Sequence, residues 1–96
     1  MNLDELLKEV NDEKSFLDFI QALAEDFENE RELEIRNPSP PYSKGALGWE
    51  NGSIDNMLSA AAAWGNSSSF NKSNKTVEQN PWYRCAHIIY AGKFYE

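Results

Sequence analysis

The residues best suited to chemistry lie in the C-terminal half, around the single histidine. His87 follows Arg84 by three positions in an otherwise apolar helical pattern, so both side chains would share one polar stripe. Such a pair, lining a cleft, could transfer a proton or contact an anion. A partly exposed histidine that is merely hydrogen-bonded to a loop is the more common outcome, and we favour that interpretation.

Other catalytic arrangements find little support in the sequence. Cys85 and His87 are two positions apart, and side chains at that spacing on a helix do not face each other, which argues against a nucleophile pair or a shared metal. We predict that Cys85 is a small buried hydrophobic residue, with a reactive thiolate near Arg84 as the alternative. No Gly-Lys-Ser/Thr phosphate loop and no Gly-x-Ser-x-Gly elbow occurs. We therefore predict no enzymatic activity, no metal and no cofactor.

Aromatic side chains suggest a pocket for a small molecule or a peptide. The candidate ligand-binding residues are Trp49, Glu50, Trp82, His87 and Tyr90. Glu50 could receive a ligand amine or pair with Lys93, although a salt bridge or a solvated side chain is the simpler expectation. The pocket is expected between the third and fourth predicted helices.

Charge is distributed unevenly along the chain. Residues 1–36 contain twelve acids against four bases, a net charge of −8, whereas residues 37–96 carry four acids and five bases, a net charge of +1. This acidity argues against binding to nucleic acid, which depends on neutralising phosphates with lysine and arginine. A basic protein could instead dock on the charged outer face of a helix. The need for solubility alone would explain such a charged face equally well. The candidate partner-binding residues are Asp18, Gln21, Glu25 and Glu28.

Hydrophobic periodicity in residues 1–36 predicts two amphipathic helices. Asn2 and Glu5 match a capping box for the first, which Asn11-Asp12 would end. Ser15 is predicted to cap the second helix, with Asp18 completing the box. The apolar face of the second helix comprises Phe16, Phe19, Ile20, Leu23, Ala24 and Phe27. Leu33–Arg36 alternates with period two, so it is either the helix end or a short edge strand.

Residues 37–52 contain three prolines and three glycines, which predicts a loop, anchored by Tyr42, Leu47 and Trp49. Two further helices are predicted after it. The third begins after Ser53 and ends at Gly65, and a polar loop spans residues 66–79. The fourth has Asn80 as its cap and Pro81 at its first position, and Gly92 can end it. It is apolar nearly all round, so we place it at the centre of the domain.

These elements predict an all-α bundle of about four helices in a single domain spanning residues 1–96. An α+β fold with a short hairpin from Leu33–Arg36 or Lys93–Glu96 is the alternative. The longest apolar run, Ala60–Trp64, is far shorter than the ~20 residues of a membrane span, and the N-terminus lacks the features of a secretory signal. With one cysteine, the chain is expected in the cytoplasm.

Several short motifs resemble a family of small, mostly bacterial proteins of unknown function. The motifs are Trp49-Glu50-Asn51, Ala61-Ala62-Ala63-Trp64, Asn80-Pro81-Trp82 and the ending Tyr90-Ala91-Gly92-Lys93-Phe94-Tyr95-Glu96. The acidic helix with its phenylalanines is also similar, which extends the resemblance to residues 12–96. The resemblance implies a compact, mostly helical domain and brings no established activity or cofactor.

The leading functional hypothesis is a non-enzymatic protein–protein interaction module of the immunity or inhibitor type. It would dock a basic partner through residues 1–36. The alternative hypothesis is a small-molecule or peptide-binding domain with an aromatic pocket.

Overall fold

The computed structural model describes residues 2–41, 43–69 and 80–95. The predicted anchor Tyr42, the predicted loop from residue 70 onwards and the final Glu96 lie outside the described residues. The helices are α1 (Leu3–Lys8), α2 (Glu13–Arg36), α3 (Ile54–Ser69) and α4 (Pro81–Ala91). The described residues contain no strand, so the predicted all-α fold is confirmed.

The first two helices begin with capping boxes. Asn2 accepts a hydrogen bond from the Glu5 N–H at 2.9 Å, and the Glu5 carboxylate accepts one from the Asn2 N–H at 3.2 Å, as predicted. The predicted cap of α2 is wrong. Asp12 is the cap, its carboxylate accepting from the Ser15 N–H at 2.8 Å, and Ser15 completes the box from the third helical position. Both residues are good caps, and starting at Asp12 adds helical residues to α2.

The second helix extends without a break to Arg36, so Leu33–Arg36 forms its last turn rather than a strand. The Asn37 N–H donates to the Leu33 carbonyl at 2.9 Å, and the Glu34 carboxylate then accepts two hydrogen bonds from Ser39. At the other end of the chain, Lys93–Phe94 forms a turn after α4. The alternative fold with a hairpin is therefore wrong for the described residues.

The third helix begins after Ser53, whose carbonyl accepts from the Met57 N–H at 2.9 Å, but it does not end at Gly65 as predicted. The helix continues to Ser69, which also shortens the predicted loop 66–79. Among the described glycines only Gly48 has a positive φ, of 90°, so Gly65 does not adopt the left-handed conformation of a helix end. The Arg84 guanidinium of α4 donates a hydrogen bond to the Gly65 carbonyl at 3.1 Å, so this carbonyl of α3 has a donor from the neighbouring helix.

Gly65→Ala is expected to raise the free energy of unfolding by about 0.5–1 kcal/mol, because alanine is favoured over glycine inside a helix. A Cβ atom at this position would lie 3.6 Å from the Ile88 side chain, an ordinary van der Waals distance. Urea denaturation of both proteins measures the difference. A loss of stability of similar size would indicate a left-handed residue and contradict the continuous helix.

Gly92→Ala provides a control, because it is expected to lower the free energy of unfolding instead of raising it. A Cβ atom there would lie 2.6 Å from the backbone oxygen of Met57, because the end of α4 closely approaches α3. The φ of Gly92 is −59°, so alanine suffers no backbone strain and the expected loss of about 1–3 kcal/mol is purely steric.

The fourth helix is the centre of the molecule, as predicted. It begins with Asn80, whose side chain accepts from the N–H groups of Trp82 and Tyr83, and it contacts each of the other three helices. The buried core consists of Leu7, Val10, Phe19, Leu23, Trp49, Ala86 and Tyr90. Cys85 is exposed, so its predicted burial is wrong. The core side of α4 is defined by Ala86 and Tyr90, and Cys85 lies outside that stripe.

Candidate functional site

A largely buried ion pair connects α2, the long loop and the end of the chain. One carboxylate oxygen of Asp26 accepts from the Lys93 ammonium and from the Trp49 indole N–H, both at 2.8 Å. The Lys93 side chain is 9% exposed, and its Nζ lies 5.5 Å from the centre of the Trp49 ring. The suggested pairing of Lys93 with Glu50 does not form, because Lys93 pairs with Asp26. Glu50 is exposed, in agreement with the alternative of a solvated side chain.

The segment that follows Trp49 fixes the C-terminal turn. The Asn51 side-chain amide donates to the carbonyls of Gly92 at 2.9 Å and Tyr95 at 3.1 Å. The Glu50 N–H donates to the Lys93 carbonyl at 2.9 Å. Two of the segments that carry the resemblance thus meet in space, and their contacts there stabilise the fold.

A second acid of α2, Glu30, holds the loop from inside. Its Oε1 atom accepts from the backbone N–H groups of Leu47 at 3.0 Å and Trp49 at 3.1 Å, and the residue is only 5% exposed. A Cβ atom at Gly45 would collide with this carboxylate, so any other residue there would displace Glu30 from its present position. Sequence analysis missed Glu30, although its spacing of seven from Leu23 places it on the buried face of the helix.

An open cavity of about 500 Å³, which we call the aromatic cleft, lies beside α4. It is lined by α1, α3, α4 and the C-terminal turn, through Asp4, Leu7, Trp64, His87, Tyr90, Ala91, Phe94 and Tyr95. The Tyr90 hydroxyl donates to Asp4 Oδ1 at 2.7 Å. Burial, and then the Asp4 carboxylate, raise the pKa of Tyr90, so the phenol stays protonated and keeps donating at neutral pH.

His87 lies in the aromatic cleft, where its ring centre is 4.5 Å from that of Trp64. Burial, and then the charge of Arg84, hold the pKa of His87 below its usual value, so the imidazole is mainly neutral at pH 7. The Arg84 guanidinium lies 5.1 Å from the centre of the Trp64 ring and binds the Gly65 carbonyl. Arg84 therefore packs against α3 and does not line the aromatic cleft.

A second cavity of about 310 Å³, which we call the apolar groove, runs between α2 and α3. Its lining is almost entirely apolar and comprises Ile20, Leu23, Ala24, Phe27, Trp49, Asn51, Gly52, Ser53, Ile54, Met57, Leu58 and Ile89. Ile89 of α4 joins the two walls. Ile54 and Leu58 are 80% and 58% exposed, so one wall presents large apolar side chains to solvent.

The structure distributes the predicted ligand-binding residues over several places. His87 and Tyr90 share the aromatic cleft, whereas Trp49 lines the apolar groove. Trp82 lines neither cavity and packs on Phe16, with 5.6 Å between ring centres, and Glu50 is exposed outside both. The sequence reasoning missed the cleft residues Asp4, Trp64, Phe94 and Tyr95. Phe94 and Tyr95 lie in and directly after the turn that follows α4, and this aromatic ending was the available signal.

Residues 12–96 match a family of unknown function (DUF7660). The chain belongs to this family. The matched residues are the same residues 12–96 over which the motifs resemble a family of unknown function. No curated protein and no solved structure matches the chain.

The acidic face of this DUF7660 member comprises Asp18, Gln21, Glu25 and Glu28, the predicted partner-binding residues, and all four are exposed. Spacings of three and four place them on one side of α2. Lys14 pairs with Asp18 at 2.7 Å, and the Gln21 amide donates to Glu25 at 3.0 Å. Glu25 and Glu28 thus keep their negative charges facing solvent without a basic partner among the described residues.

The described part of this DUF7660 member holds neither a metal-binding cluster nor a membrane-spanning helix. Within residues 2–41, 43–69 and 80–95, no three His, Cys, Asp or Glu side chains lie close enough together to hold a metal ion. In the same residues, no helix combines the length and the hydropathy needed to cross a bilayer.

Proposed function

We propose that this chain is a non-enzymatic protein–protein interaction module that docks a basic, amphipathic helix of its partner. The apolar side of that helix would occupy the apolar groove, and its lysine and arginine side chains would meet the acidic face. Neutralisation or inhibition of a basic protein is the corresponding biological role. The observation that carries the proposal is the position of the acidic face directly beside an open apolar groove.

The apolar groove has the form required by helix-in-groove recognition, in which an amphipathic helix buries residues spaced by three and four. Its walls are two helices, and the described residues show no contact between α2 and α3 that would close it. Ile54 and Leu58 lie on successive turns of one face of α3, and both are exposed at the edge of the apolar groove. Covering such large side chains would contribute about 1.5–3 kcal/mol each when burial is complete.

Charge favours a basic occupant over an acidic one. Gln21 and Glu28 lie one helical turn before and after Ala24, which lines the apolar groove, so the acidic face borders that wall. Asp55 lies beside Ile54 at the start of the opposite wall. Arg31, near Phe27, adds a positive charge at one end, where a partner helix is expected to carry an acid. The net charge of −7 would also accelerate the approach of a cationic protein.

A pair of synthetic amphipathic peptides tests the proposal directly. One peptide has leucine on one helical face and lysine on the other, and its counterpart carries glutamate in place of lysine. Binding is followed by backbone amide shifts in ¹H–¹⁵N spectra. We expect the lysine peptide to shift residues of α2 and the start of α3, to bind at least tenfold more tightly, and to weaken as salt is added. Equal binding of both peptides would contradict the proposal.

Charge-reversal variants locate the surface. The triple variant Asp18→Lys, Glu25→Lys and Glu28→Lys is expected to weaken the lysine peptide at least tenfold. A matched pair controls for net charge: Glu28→Lys on the acidic face should weaken binding severalfold more than Glu9→Lys at the end of α1, where the residue is also exposed. If the two single variants weaken peptide binding equally, only the long-range electrostatic field of the protein is involved, and the docking surface lies elsewhere.

A further inference from the structure

We infer that the aromatic cleft binds a quaternary trimethylammonium group, with aromatic rings around the cation and the Asp4 carboxylate opposite its charge. This site is separate from the apolar groove and contains none of the acidic-face residues. Its volume of about 500 Å³ falls in the range of small-ligand pockets, with room for a cationic head and an attached tail.

Aromatic rings line several sides of the cleft. Tyr90 and Phe94 are in edge-to-face contact, with 5.0 Å between ring centres and 68° between ring planes, and Tyr90 is only 8% exposed, so Tyr90 supports the more accessible Phe94 ring from behind. Tyr95 follows Phe94 in the same lining, and Phe94 is 44% exposed, which leaves its ring accessible to a ligand. A cation within about 6 Å of such ring faces is attracted by their quadrupoles, and quaternary ammonium ligands are bound in this way.

Asp4 supplies the negative charge. The Tyr90 hydroxyl occupies its Oδ1 atom at 2.7 Å and orients the carboxylate in the wall of the aromatic cleft. No residue in the described part of the chain donates to the second oxygen, Oδ2, so this oxygen can face an incoming cation. A methylated ammonium donates few or no hydrogen bonds, and it therefore suits a site that offers one carboxylate and several rings.

Competing positive charge is absent from the described lining. It contains no lysine and no arginine, and its one basic group, His87, is held mainly neutral at pH 7 by burial. Trp64 has Arg84 and His87 against its ring, so it acts as a side wall, while Phe94 and Tyr95 provide the rings for the ligand. An anionic ligand would instead meet Asp4 at short range.

Choline and its neutral isostere 3,3-dimethylbutan-1-ol provide the decisive comparison, because they share shape and differ in charge. We expect choline to shift the amide resonances of residues lining the aromatic cleft and to bind at least about tenfold more tightly than the alcohol. Equal affinities, or shifts confined to other surfaces, would overturn the inference. N-acetyl-trimethyllysine methylamide forms the third arm: tighter binding than choline points to a methylated protein side chain, and weaker binding points to a free small molecule.

Three variants separate a cation site from a generic apolar cavity. Asp4→Asn should weaken choline about three- to tenfold and leave the neutral alcohol unchanged, whereas Glu9→Gln, the same charge change at the C-cap of α1, should alter choline binding less than twofold. Phe94→Leu keeps an apolar side chain without a ring and should weaken choline about two- to fivefold. The spectra show in each case whether the fold is intact. Unchanged choline affinity in both folded cleft variants would overturn the inference, and neither variant should affect peptide binding in the apolar groove.

Discussion

Glu30→Leu is expected to lower the free energy of unfolding by about 3 kcal/mol. Leucine fills much of the same space but accepts no hydrogen bond, so the N–H groups of Leu47 and Trp49 would lose their carboxylate partner inside the protein. Each buried donor left unpaired costs about 1–3 kcal/mol. Urea denaturation of the variant and the parent protein, compared by extrapolation to water, measures the loss.

Glu30→Gln separates the hydrogen bonds from the charge. The amide oxygen of glutamine can still accept from both N–H groups, so we expect a loss of about 1 kcal/mol. Glu28→Leu, two positions earlier on the exposed acidic face, should change stability by less than about 0.5 kcal/mol. If Glu30→Leu proved as mild as Glu28→Leu, the interpretation of Glu30 as an internal anchor of the loop would be wrong.

The parts of the fold that local chemistry determines were predictable from the sequence. The capping box of Asn2 and Glu5 and the Asn80-Pro81 start of α4 depend on neighbours within a few positions, and both are confirmed. The start of α2 was misplaced because Asp12 and Ser15 are both good caps and only the completed box distinguishes them. Gly65 was misread because a glycine inside a helix and a glycine ending one look alike in sequence.

The candidate site was harder to predict because its contacts join distant segments. Glu30 binds Trp49 across 19 positions, and Asp26 binds Lys93 across 67. Treating all twelve acids of residues 1–36 as one surface was therefore too simple, since Glu30 is buried and Asp26 is largely covered. The surface residues Asp18, Glu25 and Glu28 were identifiable because helical spacing alone separates them from the apolar face.

Lys93→Met is expected to lower the free energy of unfolding by about 2–3 kcal/mol. Methionine retains most of the side-chain volume but leaves the Asp26 carboxylate, with a side chain only 23% exposed, without its positive partner. Removing one member of a covered ion pair costs more than the pair itself contributes, because the remaining charge has lost water as well as its partner. Lys14→Met removes the exposed pair with Asp18, where the side chains are 79% and 57% exposed, and should cost less than about 0.5 kcal/mol.

Asp26→Asn, combined with Lys93→Met, completes a double-mutant cycle. The asparagine oxygen can still accept from the Trp49 indole N–H, while its neutral side chain no longer needs a cation. We therefore expect the double variant to be more stable than the sum of the single losses implies, with a coupling energy of about 1.5–3 kcal/mol. Strictly additive losses would mean that Lys93 stabilises the protein by packing on Trp49 alone, since that contact does not depend on the charge of Asp26.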